Sequence, residues 1–452
     1  MIRRLLVANR GEIAVRIIRS ARQCGIPTVA VYSSADRDAM HVRLADRALC
    51  IGPPRASESY LNQNAIVTAA LGTGCDAIHP GYGFLAENAA FAQLCEENGL
   101  HFVGPGSVAV ATMGDKIRAR ESARLAGVPT VPGSLGRLVD AAAAQKAAEA
   151  VGFPLLLKAA AGGGGRGMRV VRRPEDLPGA FSEASSEAEA AFGNGALYAE
   201  RFLEGVRHIE VQVLSDGAGR HLHLGDRDCT LQRRSQKLLE EAPAGVPGAT
   251  RSLLREAAVM LARNIGYRSA GTVEFVYVPE THDFFFLEMN TRIQVEHPVT
   301  EAVTGIDIVA EQLRVAGGEG LSLSQEDITI AGHALECRIN AEDPEQNFRP
   351  APGRITRWEP PSGPGIRIDS HVFEGYEIPP FYDSLIAKVI VAAPSRSEAI
   401  EKMRDALGTF RIEGVPTTRD FHLRVLSDPA FVSDSIDTKW IEREFLAKAS
   451  AV

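Results

Sequence analysis

The segment KAAAGGGGRGMRVV, Lys158 to Val171, carries Gly162 to Gly165 in an unbroken run and Gly167 one residue later. Backbone N–H groups with no side chains around them approach phosphate closely, so the run predicts a nucleotide-binding protein. Its flanks narrow the choice of fold. The dinucleotide fingerprint and the Walker A loop both lie between a strand and a helix N-terminus, which helps hold the phosphates. Here the flanks are LLLKAA and MRVV, two apolar pieces of strand type, and no GK[ST] follows, which excludes the P-loop. Gly162, Gly164 and Gly167 satisfy G-x-G-x-x-G only because a glycine run satisfies many patterns. The segment is expected to be a mobile hairpin tip that folds over phosphates, flanked by Lys158 and Arg166.

The chain around it, 452 residues, suggests three domains at about 150 residues each. RLLVA (4–8) reads as a buried strand, Asn9 with Glu12 as a helix-start signature, and PTVAVYS (27–33) as the next strand. The stretch 75–104 repeats strand, turn, helix and strand, so the first hundred residues are expected to be doubly wound. The first turn reads Asn-Arg-Gly-Glu, which argues against NAD. A helix from about Asp115 to Ala126 precedes a break at VPTVPGS (128–134), and the region after it is an α+β mixture. Beyond the glycine- and serine-rich link near 315–330, short alternating segments and a helix (395–408) predict a smaller β-rich domain.

GTVEFVYV (271–278) and FFFLEMN (284–290) are two strand-type runs joined by PETHD, a hairpin. Centred on Thr281, the hairpin sets Glu274 opposite Glu288. Carboxylates facing each other with Cβ atoms ~5 Å apart repel unless a cation lies between them, and such oxygen ligands suit Mg²⁺ bound with substrate phosphates. If the chain continues extended, Glu288, Asn290, Arg292, Gln294 and Glu296 share one face. That face offers a metal end, a cation for an anion, and a terminal carboxylate able to act as a base. HALECRIN (333–340) alternates similarly, with Arg338 either an anion stabiliser or a surface ion-pair partner. The bland reading of the charge-dense run 226–243 is a solvated connection, and no spacing in it decides the issue.

Lys and Arg number 49 against 57 Asp and Glu, a net charge of −8, with no basic block interleaved with aromatics, so nucleic acid is not the expected partner. Six cysteines form no C-x-x-C pair, which suits a reducing compartment. The N-terminus reads as structure and not as a targeting peptide, and no apolar run approaches the ~20 residues of a membrane span. A cytoplasmic protein without a membrane partner is expected.

The motifs LLVANRGEIAVRIIRS, HPGYGFLAEN, MGDK, KAAAGGGGRGM, RDCTLQRRSQK, EMNTRIQVEHPVTE, HALECRINAED and FYDSLIAKVI, in this order, resemble the biotin carboxylase component of biotin-dependent carboxylases, an ATP-grasp enzyme. The resemblance implies a Rossmann-like N-terminal domain (1–114), an ATP-grasp domain (115–317) with a mobile lid (about 131–204), and a β-rich C-terminal domain (330–446). It implies that Lys116, Lys158, Gly164, Gly165, Glu200, Phe202, Leu203, His208, Gln232 and Ser235 hold ATP together with Glu274 and Glu288. Glu274, Glu288 and Asn290 would ligate Mg²⁺ or Mn²⁺. Lys237, Arg292, Gln294 and Val295 would place bicarbonate, Glu296 would be its base, and Arg338 with Tyr82 would meet biotin. The implied reaction carboxylates carrier-bound biotin through carboxyphosphate, as the first half-reaction of an acyl-CoA carboxylase of the acetyl-CoA type in fatty acid biosynthesis. The alternatives are the corresponding part of pyruvate or another carboxylase, another ATP-grasp acyl-phosphate ligase, or a silent nucleotide-binding subunit. Implied partners are a biotin carboxyl carrier protein, carboxyltransferase subunits and a second copy of the chain. Ser235 stands where some members carry histidine, and no Met-Lys-Met site for biotin precedes Val452.

Overall fold

A computed structural model describes residues 1–134, 136–160 and 167–449. The expectations placed on Gly162 to Gly165, including Gly164 and Gly165 as nucleotide contacts, lie outside the described residues. Strands β1 (Leu5–Val7), β2 (Thr28–Ser33), β3 (Arg47–Gly52), β4 (Ala77–His79) and β5 (His101–Phe102) form one parallel sheet in the order β3-β2-β1-β4-β5. This is the doubly wound arrangement that the alternation of strands and helices predicts. Both faces of β1 are buried, since Leu5 and Val7 pack towards helix α1 (Gly11–Gln23) and Leu6 packs on the opposite side with Val29 and Phe91.

The start of α1 corrects the helix-start reading. The N-cap is Arg10 with no side-chain cap, one residue beyond Asn9. Asn9 instead donates from Nδ2 to the carbonyls of Pro80 and Tyr82, pinning the first turn to the HPGYG loop. A tertiary contact therefore takes the side chain that local capping would have used.

Strands β6 (Leu155–Ala159), β7 (Arg169–Val171) and β8 (Leu197–Arg201) form a separate antiparallel sheet in the order β7-β6-β8. The pairing of Leu155 with Val171 and Leu157 with Arg169 makes the flanks of the glycine run a hairpin, as their strand character predicts. Helices Ala141–Val151 and Leu177–Phe192 cover this sheet and close a small core of its own around Leu157, Phe181 and Leu197.

An eight-stranded sheet runs through the central and C-terminal regions, beside three two-stranded ones. Strands β9 (Arg207–Asp216), β10 (His221–Arg233), β11 (Gln236–Ala242), β12 (Arg268–Val278), β13 (Asp283–Asn290) and β14 (His333–Asn340) join strands Leu385–Ala393 and Ile366–Ser370, in the order β13, β12, β9, β10, β11, β14, Leu385–Ala393, Ile366–Ser370. The β-rich C-terminal segment thus extends the sheet of the central region and does not stand apart from it. The 226–243 run is corrected from a solvated connection to two buried strands, β10 and β11, whose charges pair inside the sheet. The stretch after β13 is also corrected: residues 291–296 leave the strand in bends and a turn, and helix His297–Thr304 begins at Glu296. Helix Gly248–Asn264, not anticipated from the sequence, packs beneath β9 and β10.

Candidate active site

The sheet register brings charge into rows. Arg227 on β10 pairs with Glu210 on β9, Glu210 with Glu274 on β12, and Glu274 with Glu288 on β13. Four neighbouring strands therefore present one cation and three carboxylates on the same face. The opposition of Glu274 and Glu288 agrees with the hairpin count, but for a subtler reason. The tip pairs Val278 with Asp283, a register that by itself would set Glu274 against Leu287, and an irregularity between Glu274 and Phe275 restores the carboxylate pair. One extra residue on the β13 side supplies the shift, as a β-bulge does.

Glu274 and Glu288 of these rows line a cleft of about 870 Å³, with Arg227 and Glu210 fully buried behind them. Lys116, Lys158, His208, Gln232, Ser235, Lys237, Glu274, Glu288, Asn290, Arg292, Gln294, Val295, Glu296, Arg338 and Tyr82 all line it. Glu200, Phe202 and Leu203 do not. Glu200 binds Lys158 Nζ at 2.5 Å and also pairs with Arg120, while the Phe202 N–H donates to the Pro154 carbonyl. Ser235 follows Arg234 in a two-residue hairpin turn between β10 and β11, and both have left-handed φ, 49° and 63°.

Lys237 is the central cation. Its Nζ donates to Glu210 Oε2 at 2.7 Å, Glu274 Oε1 at 2.9 Å and Glu296 Oε1 at 2.6 Å. Burial alone would lower its pKa, but the three carboxylates hold the ammonium well above the ordinary range. The second oxygen of Glu296 accepts from Arg338 Nη2 at 3.1 Å, and Arg338 Nε donates to Glu240 at 2.6 Å. Burial opposes the charge on Glu296, yet Lys237, Arg338 and Arg227 outweigh it and keep this carboxylate ionised, with its pKa lowered. Beyond it, Arg292 Nε donates to Glu87 at 2.9 Å and Arg292 Nη2 to Asn290 Oδ1 at 2.9 Å. With a third bond from Nη1 to the Ile293 carbonyl at 3.2 Å, the arginine is held by three acceptors at the cleft surface.

The carboxylate pair is electrostatically asymmetric. Glu274 is buried and accepts from Lys237, Asn290 and Gln294 on Oε1, with His208 Nε2 3.0 Å from Oε2. Its pKa lies well below the usual range because Lys237 and His208 outweigh its burial. Glu288 faces the open cleft and makes no hydrogen bond or ion pair among the described residues. Enclosure by the cleft and the charge of Glu274 push its carboxyl up. An ionised carboxylate beside one whose charge is resisted, with the Asn290 amide adjoining, is an all-oxygen donor set that fits a hard divalent cation.

Several members of this network carried no signal in the sequence reading. Arg227 is fully buried and donates to Glu210, Gln212, Thr272, Gln294 and Thr300. Glu210, Glu240 and Glu87 support Lys237, Arg338 and Arg292. For Glu210 the signal was present, since His208, Glu210 and Gln212 alternate with apolar residues in HIEVQV.

Family models match nearly the whole chain: "Biotin carboxylase, N-terminal domain" at residues 1–110, "Carbamoyl-phosphate synthase L chain, ATP binding domain" at 115–324, and "Biotin carboxylase C-terminal domain" at 336–443. Biotin carboxylase 1 of Bacillus subtilis is 54% identical over 443 residues, covering 98% of this chain and 98% of the relative. The biotin carboxylase of Campylobacter jejuni, solved as an ATP complex, superposes with a TM-score of 0.95 at 48% identity, over 98% of this chain and 99% of that one. The biotin carboxylase domain dimer of the 2-oxoglutarate carboxylase of Hydrogenobacter thermophilus, solved with MgADP and bicarbonate, superposes at 0.93 with 50% identity, over 98% and 97% of the two chains. The chain belongs to the biotin carboxylase family, ATP-dependent ligases of the ATP-grasp fold that carboxylate biotin.

Proposed function

We propose that the cleft activates bicarbonate with ATP and passes the carboxyl group to carrier-bound biotin, with the residues in the following roles. Lys116, Lys158, His208, Gln232 and Ser235 contact the nucleotide, with Glu200 acting through Lys158. Glu274, Glu288 and Asn290 hold Mg²⁺ or Mn²⁺, which neutralises charge on the phosphates being transferred. Lys237, Arg292, Gln294 and Val295 seat bicarbonate beside Glu296. Once bicarbonate takes the cations that hold Glu296, the carboxylate regains basicity and removes the bicarbonate proton. The bicarbonate oxygen then attacks the γ-phosphorus and ADP leaves, giving carboxyphosphate. Carboxyphosphate breaks down to CO₂ and phosphate, the phosphate takes the N1′ proton of biotin, and N1′ bonds to the CO₂ carbon. Arg338 stabilises the biotin enolate and Tyr82 borders it.

The observation that carries this reading is the grip on Glu296. Lys237 joins this carboxylate to Glu274 on the metal side, and Arg338 joins it to the biotin side. We assign the reaction to an acyl-CoA carboxylase of the acetyl-CoA type, acting with a biotin carrier protein and carboxyltransferase subunits as a cytoplasmic homodimer. The free buried thiols Cys75, Cys95, Cys229 and Cys337 suit a reducing compartment. No helix among the described residues is long and apolar enough to cross a membrane. The second reading, the same half-reaction in a keto-acid carboxylase, is favoured by the likeness to a 2-oxoglutarate carboxylase domain. Phosphate release from purified protein is expected to need Mg²⁺, bicarbonate and free biotin together. ADP formation indifferent to bicarbonate and biotin would refute the reaction, and the acyl-CoA or keto acid carboxylated by the co-purified partner decides between the two readings.

A further inference from the structure

Lys388 is fully buried in the strand Leu385–Ala393 and does not line the cleft, yet it touches two parts of it. Its Nζ donates to the Val295 carbonyl at 2.8 Å and lies 3.2 Å from Glu12 Oε1. The Val295 carbonyl belongs to the peptide that carries the Glu296 N–H, so this bond fixes the peptide plane from which the base projects. Glu12 in turn accepts from the Tyr82 hydroxyl, and both residues line the cleft. In the sheet, Lys388 stands directly across from Arg338 and from Asp369.

A buried ammonium needed only for charge balance had other partners within reach. Asp369 Oδ2 is 3.9 Å away, and both carboxylate oxygens of buried Glu336, two residues before Arg338 on β14, have no hydrogen-bond partner among the described residues. The ammonium instead spends its short hydrogen bond on a neutral carbonyl at the catalytic turn. Resting on the site roles given above, we propose that Lys388 is a positioning residue that sets the Glu296 peptide and the Glu12–Tyr82 pair in one fixed relation, coupling the bicarbonate and biotin subsites from behind the cleft wall.

The test is steady-state kinetics of Lys388→Met with bicarbonate, free biotin and ATP each varied in turn. Losing a hydrogen bond from a charged group is expected to raise KM for bicarbonate and for biotin by about tenfold or more, while KM for ATP stays within about twofold. Lys388→Arg, which keeps donors at the site, is expected to recover part of the loss. In combination with Tyr82→Phe, the biotin effects are expected to be less than additive because both changes cut the same chain. If Lys388→Met does not fold, Lys388→Met with Glu12→Gln removes both charges at once and takes its place in the same measurements. A folded variant with unchanged KM for bicarbonate and biotin, or with all three constants shifted alike, would overturn the proposal. Glu296→Gln in the same assay separates the two levels: retained bicarbonate-dependent turnover there defeats the site roles themselves, whatever Lys388 does.

Discussion

At the scale of single residues, the site is a set of charges that stabilise one another only while every partner is present. Arg227 shows the cost of losing one, since it donates to five side chains in a fully buried position. Arg227→Met is expected to lower the unfolding free energy by about 3–5 kcal/mol, measured by urea titration, because Glu210 would be left buried with less compensation. Glu288 makes the opposite case. Its charge is resisted by Glu274 and by its enclosure, so Glu288→Gln is expected to raise the melting temperature of the metal-free protein while weakening Mg²⁺-dependent ATP turnover at least tenfold. Thermal denaturation with EDTA and a Mg²⁺ titration of ADP release check the two halves. Counting along the hairpin named the Glu274 and Glu288 pair, but from a tip one register off that the bulge in β13 makes good. Arg227 and Glu240 were not legible, because a dense run of charge looks the same in sequence whether it is solvated or paired within a sheet.

Secondary-structure elements decide where those side chains point. The bulge in β13 is the clearest instance: without the register shift beside Phe275, Glu274 and Glu288 would not face each other. Helix Lys116–Leu125 illustrates the reverse, a local signal that survives folding, since Asp115 caps it by accepting from the Ile117 and Arg118 N–H groups. The turn Arg234–Ser235 stores strain, as neither residue is glycine and both have positive φ. Ser235→Gly is expected to stabilise the protein by about 1 kcal/mol, seen as a higher denaturation midpoint, and to leave the β10–β11 pairing intact. The extended reading of residues 288–296 named residues that all line the cleft, but the strand carries only Glu288 and Asn290 of them. They meet because a bend and a helix start fold them around Lys237 and not because one strand carries them all.

Across the whole molecule, the continuous eight-stranded sheet joins Glu274, Glu210, Lys237, Arg338 and Lys388 into one rigid surface. A second global property is its content of buried neutral histidines. Burial pushes His79 and His371 down to about 3 and His41 and His422 down to about 4. For each, the unfolded chain binds a proton near its ordinary value of 6.5 while the folded chain does not. Their stabilisation is therefore complete above that value and declines as pH falls towards 3 to 4. His371→Phe, which keeps an aromatic ring against Tyr376, is expected to flatten the fall in stability between pH 6.5 and 4.5 by roughly 2 kcal/mol, read from denaturant midpoints at the two pH values. By itself the sequence determined the doubly wound start, the hairpin flanks of the glycine run, the acidic hairpin and the family, because these rest on local periodicity and motif order. Only the tertiary structure decided that Arg227, Glu240 and Lys388 stand behind the site. Their roles arise from register between strands far apart in the chain, and from burial that turns ordinary surface residue types into obligatory charge partners.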